Sequence, residues 1–233
     1  MISSFGINQN ANKAEQDDKK YCNFPVQFRA KPYSLKRLFD IVFSTFLLVL
    51  TFPIVLAVAI SIKLCDSGPV FFVQPRVGYG GRAFNIIKFR TMVENAEALK
   101  KYLIDKSDVK GAFKMKNDPR VTRIGFFLRK TKLDELPQFI NVLFGDMSMV
   151  GPRPTSLEEV IRAYGEDACQ KFISGIKPGI TGPVQIHEAF YGKMDLDEQL
   201  QLDFNYIRNN NFFVDLKLVL LTLVAIFAGY KNV

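Results

Sequence analysis

The chain has 233 residues, 48% of them hydrophobic, with 31 Lys and Arg against 23 Asp and Glu for a formal net charge of +8. That apolar content excludes a disordered chain, and only three Cys exclude a disulfide-stapled secreted module; the length allows one domain of moderate size with a true core. The basic balance points to an anionic partner, which is phosphate, nucleic acid or a membrane surface.

Residues 1–32 mix Asn, Gln, Lys and Asp without periodicity and read as a polar, mobile arm; they lack the apolar stretch of a signal peptide. Residues 33–65 are different. Ile41 to Ile62 is uncharged, and about 22 helical residues are long enough to cross a hydrocarbon core of about 30 Å. Arg29, Lys31, Lys36 and Arg37 precede this run and Lys63, Arg76, Arg82, Lys88 and Arg90 follow it, so the positive-inside rule asks for both ends on the cytoplasmic side. Pro53, near the middle, removes a donor and kinks or breaks the helix. A helix-break-helix that enters one leaflet and returns satisfies both observations if Ser44, Thr45 or Thr51 bonds the freed carbonyls. A kinked, fully spanning helix is the competing reading, and physics alone leaves the two open.

Past Cys65 the pattern is mixed. Asp66 to Pro69 is turn chemistry, Val70 to Val73 a short strand, Gly78 to Gly81 a tight turn and Ala83 to Phe89 a second strand, which together predict a β-hairpin. A helix is expected from about Val93 to Leu103, a loop from Ser107 to Arg120, and a further helix over Arg123 to Arg129. Phe212 to Phe227 is apolar, but Asp215 and Lys217 leave it short for a span, so it packs on the domain or lies in the membrane interface. The expected fold class is α+β, mainly helical, with residues 66–233 forming one cytosolic domain. Cys22, Cys65 and Cys169 are odd in number and lack C-x-x-C spacing, which reads as free thiols in a reducing compartment.

The segment from Leu128 to Phe144 is the most informative. Leu136, Phe139, Ile140, Leu143 and Phe144 recur at the spacing of an amphipathic helix, and Pro137 belongs in its first turn. Asp134 and Glu135 then sit at the helix N-terminus, where free N–H groups favour carboxylates and phosphate alike, with Arg129, Lys130 and Lys132 just upstream. One reading is a carboxylate pair beside a phosphate site, able to bind Mg²⁺ through oxygen and to attack phosphorus. The other is an ordinary acidic helix start, with Thr131 three residues before Asp134.

Arg153, held between Pro152 and Pro154, is either preorganised to grip a phosphate or a solvated connector residue. Lys177 to Pro183 reads as a turn whose N–H groups and Thr181 hydroxyl make a weak anion site. Lys88, Arg90 and Thr91 at the end of the second strand reach either diphosphate oxygens or anionic lipid headgroups. His187 is the sole histidine, which excludes a His-based metal site and a Ser-His-Asp triad.

Six segments in one order carry a resemblance. These are Lys36-Arg37-Leu38-Phe39-Asp40 before the proline-bearing apolar helix, Gly68 to Phe72 with Gln74 to Gly78, Lys88 to Met92, Leu128 to Lys130 with Leu133 to Gln138, Met149 to Pro154, and Lys177 to Gly182. Together they resemble the bacterial sugar transferases, the monotopic polyprenyl-phosphate phosphoglycosyl transferases, over roughly Tyr33 to the C-terminus and in their minimal catalytic form. The resemblance implies a re-entrant membrane helix broken at Pro53 on the cytoplasmic face of the bacterial plasma membrane. It implies transfer of a sugar-1-phosphate from a UDP-sugar to undecaprenyl phosphate with release of UMP, initiating surface glycan or glycoprotein assembly. It also implies that Asp134 is the nucleophile of a covalent phosphosugar intermediate, with Mg²⁺ near it and Glu135 assisting. Arg129 and Arg153 are assigned to substrate phosphate, together with Lys88, Arg90 and Thr181.

Two positions depart from the family pattern. Phe52 stands where Ser usually precedes the proline, and Pro183 to Ala189 stands where a Trp-Gln and then a Ser-Gly-Arg are common. A membrane-tethered scaffold without catalysis is therefore kept as the alternative, and a homodimer is allowed for. Nucleic acid is not an expected partner, because there is no clustered basic stripe.

Overall fold

The computed structural model describes residues 33, 35–103, 115, 118–155 and 176–228. The N-terminal arm, most of the loop expected at 107–120, Cys22 and Cys169 lie outside them; Cys65 is a free, exposed thiol.

Helix α1, Lys36–Cys65, is 30 residues long, or about 45 Å, and is apolar enough to cross a membrane, its 18-residue window having mean hydropathy 2.6. One stripe of it is buried, through Lys36, Asp40, Ser44, Val58 and Ile62, while Val42, Val49, Leu50 and Phe52 are exposed. The helix is not divided at Pro53. A proline removes one donor, here the partner of the Val49 carbonyl, and the turns on either side keep theirs. The hydroxyls proposed to bond freed carbonyls do other work: Ser44 Oγ donates to Asp40 O at 2.6 Å and Thr51 Oγ1 to Leu47 O at 2.7 Å. Such side chains reach back only three or four residues, so a hydroxyl for Val49 would have to stand at Phe52.

Strands β1, Phe71–Val77, and β2, Ala83–Phe89, form the expected hairpin, antiparallel from Phe71↔Phe89 to Val77↔Ala83. Its turn needs glycine, since Gly80 and Gly81 have φ of 64° and 79°. Helix α2 is Ala96–Leu103. It starts later than Val93 because Val93 N–H donates to Arg120 O and Met92 bridges Val121. Helix α3, Arg123–Thr131, is capped by Thr122 Oγ1, which accepts from Gly125 N–H at 2.9 Å. A Cβ on Gly125 would stand 1.9 Å from Thr91 O, so only glycine lets α3 lie this close to the end of β2.

A 3₁₀ turn, Leu133–Glu135, leads to helix α4, Gln138–Phe144, which Gly145 ends at φ 88°. Ser148–Val150 (β3) pairs in parallel with Gly179–Thr181 (β4), where the sequence pattern indicates only a turn. Helices α5 (Pro183–Tyr191), α6 (Leu196–Asn209) and α7 (Phe212–Phe227) follow.

The apolar core falls into two clusters that share Leu136 at their edges. The first gathers Val142, Met147 and Val150 with Tyr206 and Val219, and Phe39, Phe43 and Leu47 of α1 pack on it. The second joins Val58 and Ile62 of α1 to Phe89 of β2 and Leu128 of α3. Both ends of α1 are therefore docked on the same body of protein. Helix α7 packs on the domain as expected, with Leu218, Val219 and Ala225 buried and Leu220, Leu223 and Val224 exposed.

Candidate active site

Asp134 and Glu135 lie in the 3₁₀ turn between α3 and α4, not in the first turn of the helix that carries Phe139. Lys132, left-handed at φ 58°, ends α3, and Pro137 at the N-cap starts α4 one residue later. Thr131 does not cap this turn; its Oγ1 donates to Phe127 O and Leu128 O and closes α3 instead. Asn141 of α4 ties the turn to the hairpin. Its side chain accepts from Ile87 N–H at 3.0 Å and donates to Asn85 O at 2.7 Å, and a buried Asn at an otherwise apolar helix position was the sequence signal for it. Arg37 secures the far end of α4 by donating to Val142 O and Leu143 O, each at 2.6 Å.

The two carboxyls have different surroundings. Glu135 Oε1 accepts from Lys88 Nζ at 3.0 Å. Burial alone would raise Glu135, but the charge and hydrogen bond of Lys88, with Lys132 and Arg153 behind them, bring it below the usual range. Asp134 Oδ1 is buried and accepts no hydrogen bond. Burial first, then the neighbouring Glu135 charge, push Asp134 up to about 6, against the pull of Lys88, Lys132 and Arg129. Environment thus separates adjacent carboxyls into one firmly ionised group and one poised near neutrality.

Arg129, from the last turn of α3, donates Nε–H to Thr91 Oγ1 at 2.9 Å. Its guanidinium is half-buried, which lowers its affinity for the proton, while Asp134 opposes that shift. Arg153 Nη1 lies 3.4 Å from Glu188 Oε2, near enough to the site for its charge to act on Glu135. The structure thus brings Lys88, Arg129, Asp134, Glu135 and Arg153 into one cluster, with Lys132 and Thr91 beside them.

Two other sequence-named residues are engaged elsewhere. Arg90 is 7% exposed and pins the loop after α1, its Nη2 lying 3.1 Å from Asp66 Oδ2 with Gly68 against the guanidinium. Thr181 Oγ1 shares a 2.7 Å hydrogen bond with Thr222 Oγ1, joining β4 to α7. Among the described residues no three His, Cys, Asp or Glu side chains gather as a metal cage. The orphaned Asp134 Oδ1 nevertheless fits a hard cation such as Mg²⁺, which takes one or two carboxylates and fills its shell with water and substrate phosphate.

A groove of about 510 Å³ runs between α1 and α3. Pro53, Ile54, Ala57, Val58 and Ser61 form one wall and Ile124, Phe127 and Leu128 the other; it ends at Leu133, the residue before Asp134. The apolar groove and the charged cluster are thus contiguous.

A family model described as bacterial sugar transferase matches residues 31–229. The chain belongs to this family. It is 46% identical over 165 residues to the galactosyl transferase CpsE of Streptococcus agalactiae, covering 70% of this chain and 36% of that protein. It is 40% identical over 210 residues to the UDP-glucose:undecaprenyl-phosphate glucose-1-phosphate transferase of Escherichia coli, covering 85% of this chain and 40% of that one. With the exopolysaccharide production protein ExoY of Rhizobium meliloti the identity is 37% over 198 residues, covering 82% of this chain and 84% of the relative. The chain therefore spans well under half the length of the first two of these sugar transferases and most of the third.

Proposed function

We propose that this protein transfers a sugar-1-phosphate from a UDP-sugar to undecaprenyl phosphate at the cytoplasmic face of the bacterial plasma membrane, releasing UMP. The observation that carries the reading is Asp134: a buried, unpaired carboxyl at the junction of a cationic cluster and an apolar groove. In the first step a carboxylate oxygen of Asp134 attacks the phosphorus that bears the sugar. The bond from that phosphorus to the bridging oxygen breaks and UMP departs, leaving the sugar phosphate on Asp134 as an acyl phosphate. In the second step a phosphate oxygen of the lipid attacks the same phosphorus, and Asp134 leaves as carboxylate.

Lys88, Arg129 and Arg153 hold the diphosphate and neutralise it against the approaching carboxylate. Glu135, held ionised by Lys88, keeps that lysine in place. Bound Mg²⁺, held by Asp134, would supply further neutralisation of phosphate charge.

The membrane arrangement follows from α1. A spanning helix would carry one end across the bilayer, yet both of its ends pack on one body of protein. That supports a re-entrant placement with the exposed face of α1 in one leaflet, the groove open to lipid and the charged cluster at the surface. The relatives of this chain named as UDP-glucose:undecaprenyl-phosphate and undecaprenyl-phosphate galactose transferases support the substrate classes.

The test is UMP release by purified protein in nanodiscs with Mg²⁺, undecaprenyl phosphate and a panel of UDP-sugars. Lipid-dependent UMP from one donor, lost in Asp134→Asn, is the expected result; a folded wild type that releases none from any donor overturns the reading in favour of a scaffold.

Two further variants separate the parts of the site. Glu135→Gln removes a negative neighbour that holds the Asp134 pKa up, so Asp134 ionises at lower pH. The acid limb of the UMP-release profile, expected near pH 6 in the wild type, moves toward lower pH in the variant; a limb that stays in place contradicts the coupling. Ala57→Trp fills the groove. It is expected to raise KM for the lipid phosphate about tenfold, the scale for losing one good hydrophobic contact, while the stoichiometric burst of UMP made without acceptor is unchanged. An equal loss in both half-reactions would mean the groove does not serve the lipid.

A further inference from the structure

We propose that Glu188 selects the donor sugar: its carboxylate rests on Arg153 until a diphosphate takes that guanidinium, and then receives hydroxyl groups of the transferred sugar. The inference rests on the reading of the site as one for a UDP-sugar.

The two segments that carry this pair are locked in register. Gly151 N–H donates to Thr181 O at 2.9 Å and Gly179 N–H to Pro152 O at 2.8 Å. A Cβ on Gly182 would stand 2.1 Å from Gly151 O, and one on Gly151 would stand 2.3 Å from Lys177 O. Backbone therefore lies directly on backbone between the Arg153 segment and the start of α5. Helix α5 begins with Pro183 at its first position and buries Val184, Ile186 and Ala189, which leaves Glu188 on the flank that faces Arg153.

The pair is built to open. The Arg153 side chain is 61% exposed and that of Glu188 25%, and their closest approach is 3.4 Å. An ion pair so accessible adds little to stability and is readily exchanged. A diphosphate offers guanidinium a more highly charged, bidentate partner than one carboxylate does. Arg153 is also the cation whose charge reaches Glu135, next to the nucleophile, so a phosphate drawn to it lies at the reacting end of the site. The sugar on that phosphate then falls within a side chain's reach of Glu188. A carboxylate accepts hydrogen bonds from hydroxyls and donates none, so it distinguishes epimers by where their hydroxyls point.

The experiment uses the full chain in nanodiscs, wild type beside Glu188→Gln and Glu188→Ala. Two readouts are taken: kcat/KM for UMP release from UDP-glucose, UDP-galactose and their N-acetyl forms, and the inhibition constant of UDP, which has the diphosphate and no sugar. In both variants UDP is expected to inhibit at least threefold more tightly, because Arg153 is no longer occupied. The ratio of kcat/KM between the best donor and its C4 epimer is expected to fall threefold or more. A purely structural role would lower all donors alike, so a ratio unchanged within threefold overturns the proposal while leaving the transferase reading intact. Wild type that makes UMP from no donor overturns both.

Discussion

Asp134→Asn is expected to lower turnover by about a thousandfold or more and to leave no sugar phosphate bound to the protein. With donor labelled in the sugar-bearing phosphate and lipid withheld, the wild type should retain label after an acid quench and release it to hydroxylamine, as an acyl phosphate does. The variant should retain none. The two halves of this result answer different questions. A direct, single displacement in which Asp134 only holds a cation would also lose activity on substitution, but its wild type would carry no label at any time. Label on the wild type together with an inactive, unlabelled variant is therefore what the covalent route requires; label that survives the substitution would sink it.

The same carboxyl is expected to cost the fold stability. Asp134 binds its proton more tightly in the folded protein than in the unfolded chain, its pKa lying near 6 rather than 3.8. Stability therefore declines as pH rises from about 4 to about 6, and the whole penalty is present above that, up to about 3 kcal/mol for a shift of this size. In EDTA, Asp134→Asn should raise the thermal midpoint at pH 7.5 and raise it less at pH 5. A midpoint that falls at both would show that the carboxyl is held by contacts the site does not display.

The reason this site was legible from the chain is local. The long apolar run of α1, the paired Asp134 and Glu135, and the turn between two short strands are all signals that adjacent residues carry together. What was hidden needs distant residues. A three-residue strand has too little pattern to be read by itself, and β3 acquires its identity only from β4, with Val150 opposite Thr181. Arg90 and Lys88 look alike in sequence, two residues apart at the end of β2. They diverge because side chains alternate along a strand: Lys88 meets Glu135, whereas Arg90 turns to Asp66. Thr181 likewise looks exposed in a glycine-rich turn and is instead bonded to Thr222 of α7. Basic and hydroxyl residues report their type in the sequence, but which anion they serve is a tertiary property.

Asp215→Ala is expected to destabilise the fold by about 3–5 kcal/mol, the usual cost of orphaning one member of a buried ion pair. Asp215 is fully buried and Lys36 nearly so, and they form an ion pair between α7 and the start of α1. Tyr206 donates its hydroxyl to Asp215 Oδ1 at 2.8 Å and Tyr33 donates to Oδ2 at 3.0 Å. Burial and the adjacent Asp215 charge push both phenols well above their ordinary range, so both remain donors at any working pH. Lys36 also donates to Val150 O at 3.0 Å. Removing Asp215 leaves an ammonium group buried against a carbonyl and two phenols with no counter-charge. Thermal unfolding should show this as a drop of about ten degrees in a chain of this length. The double variant Lys36→Met with Asp215→Leu removes both charges and should recover most of the loss; if it is no more stable than Asp215→Ala, packing rather than charge holds α1 to α7. The pair also bears on function, because it fixes the N-terminal half of α1, whereas Val58 and Ile62 hold the other half to Phe89 and Leu128. At temperatures where Asp215→Ala still folds, the groove wall is looser while the Asp134 turn is intact. Transfer to lipid should therefore weaken before the burst of UMP does, and equal loss of both steps would mean that α1 and the charged cluster move as one unit.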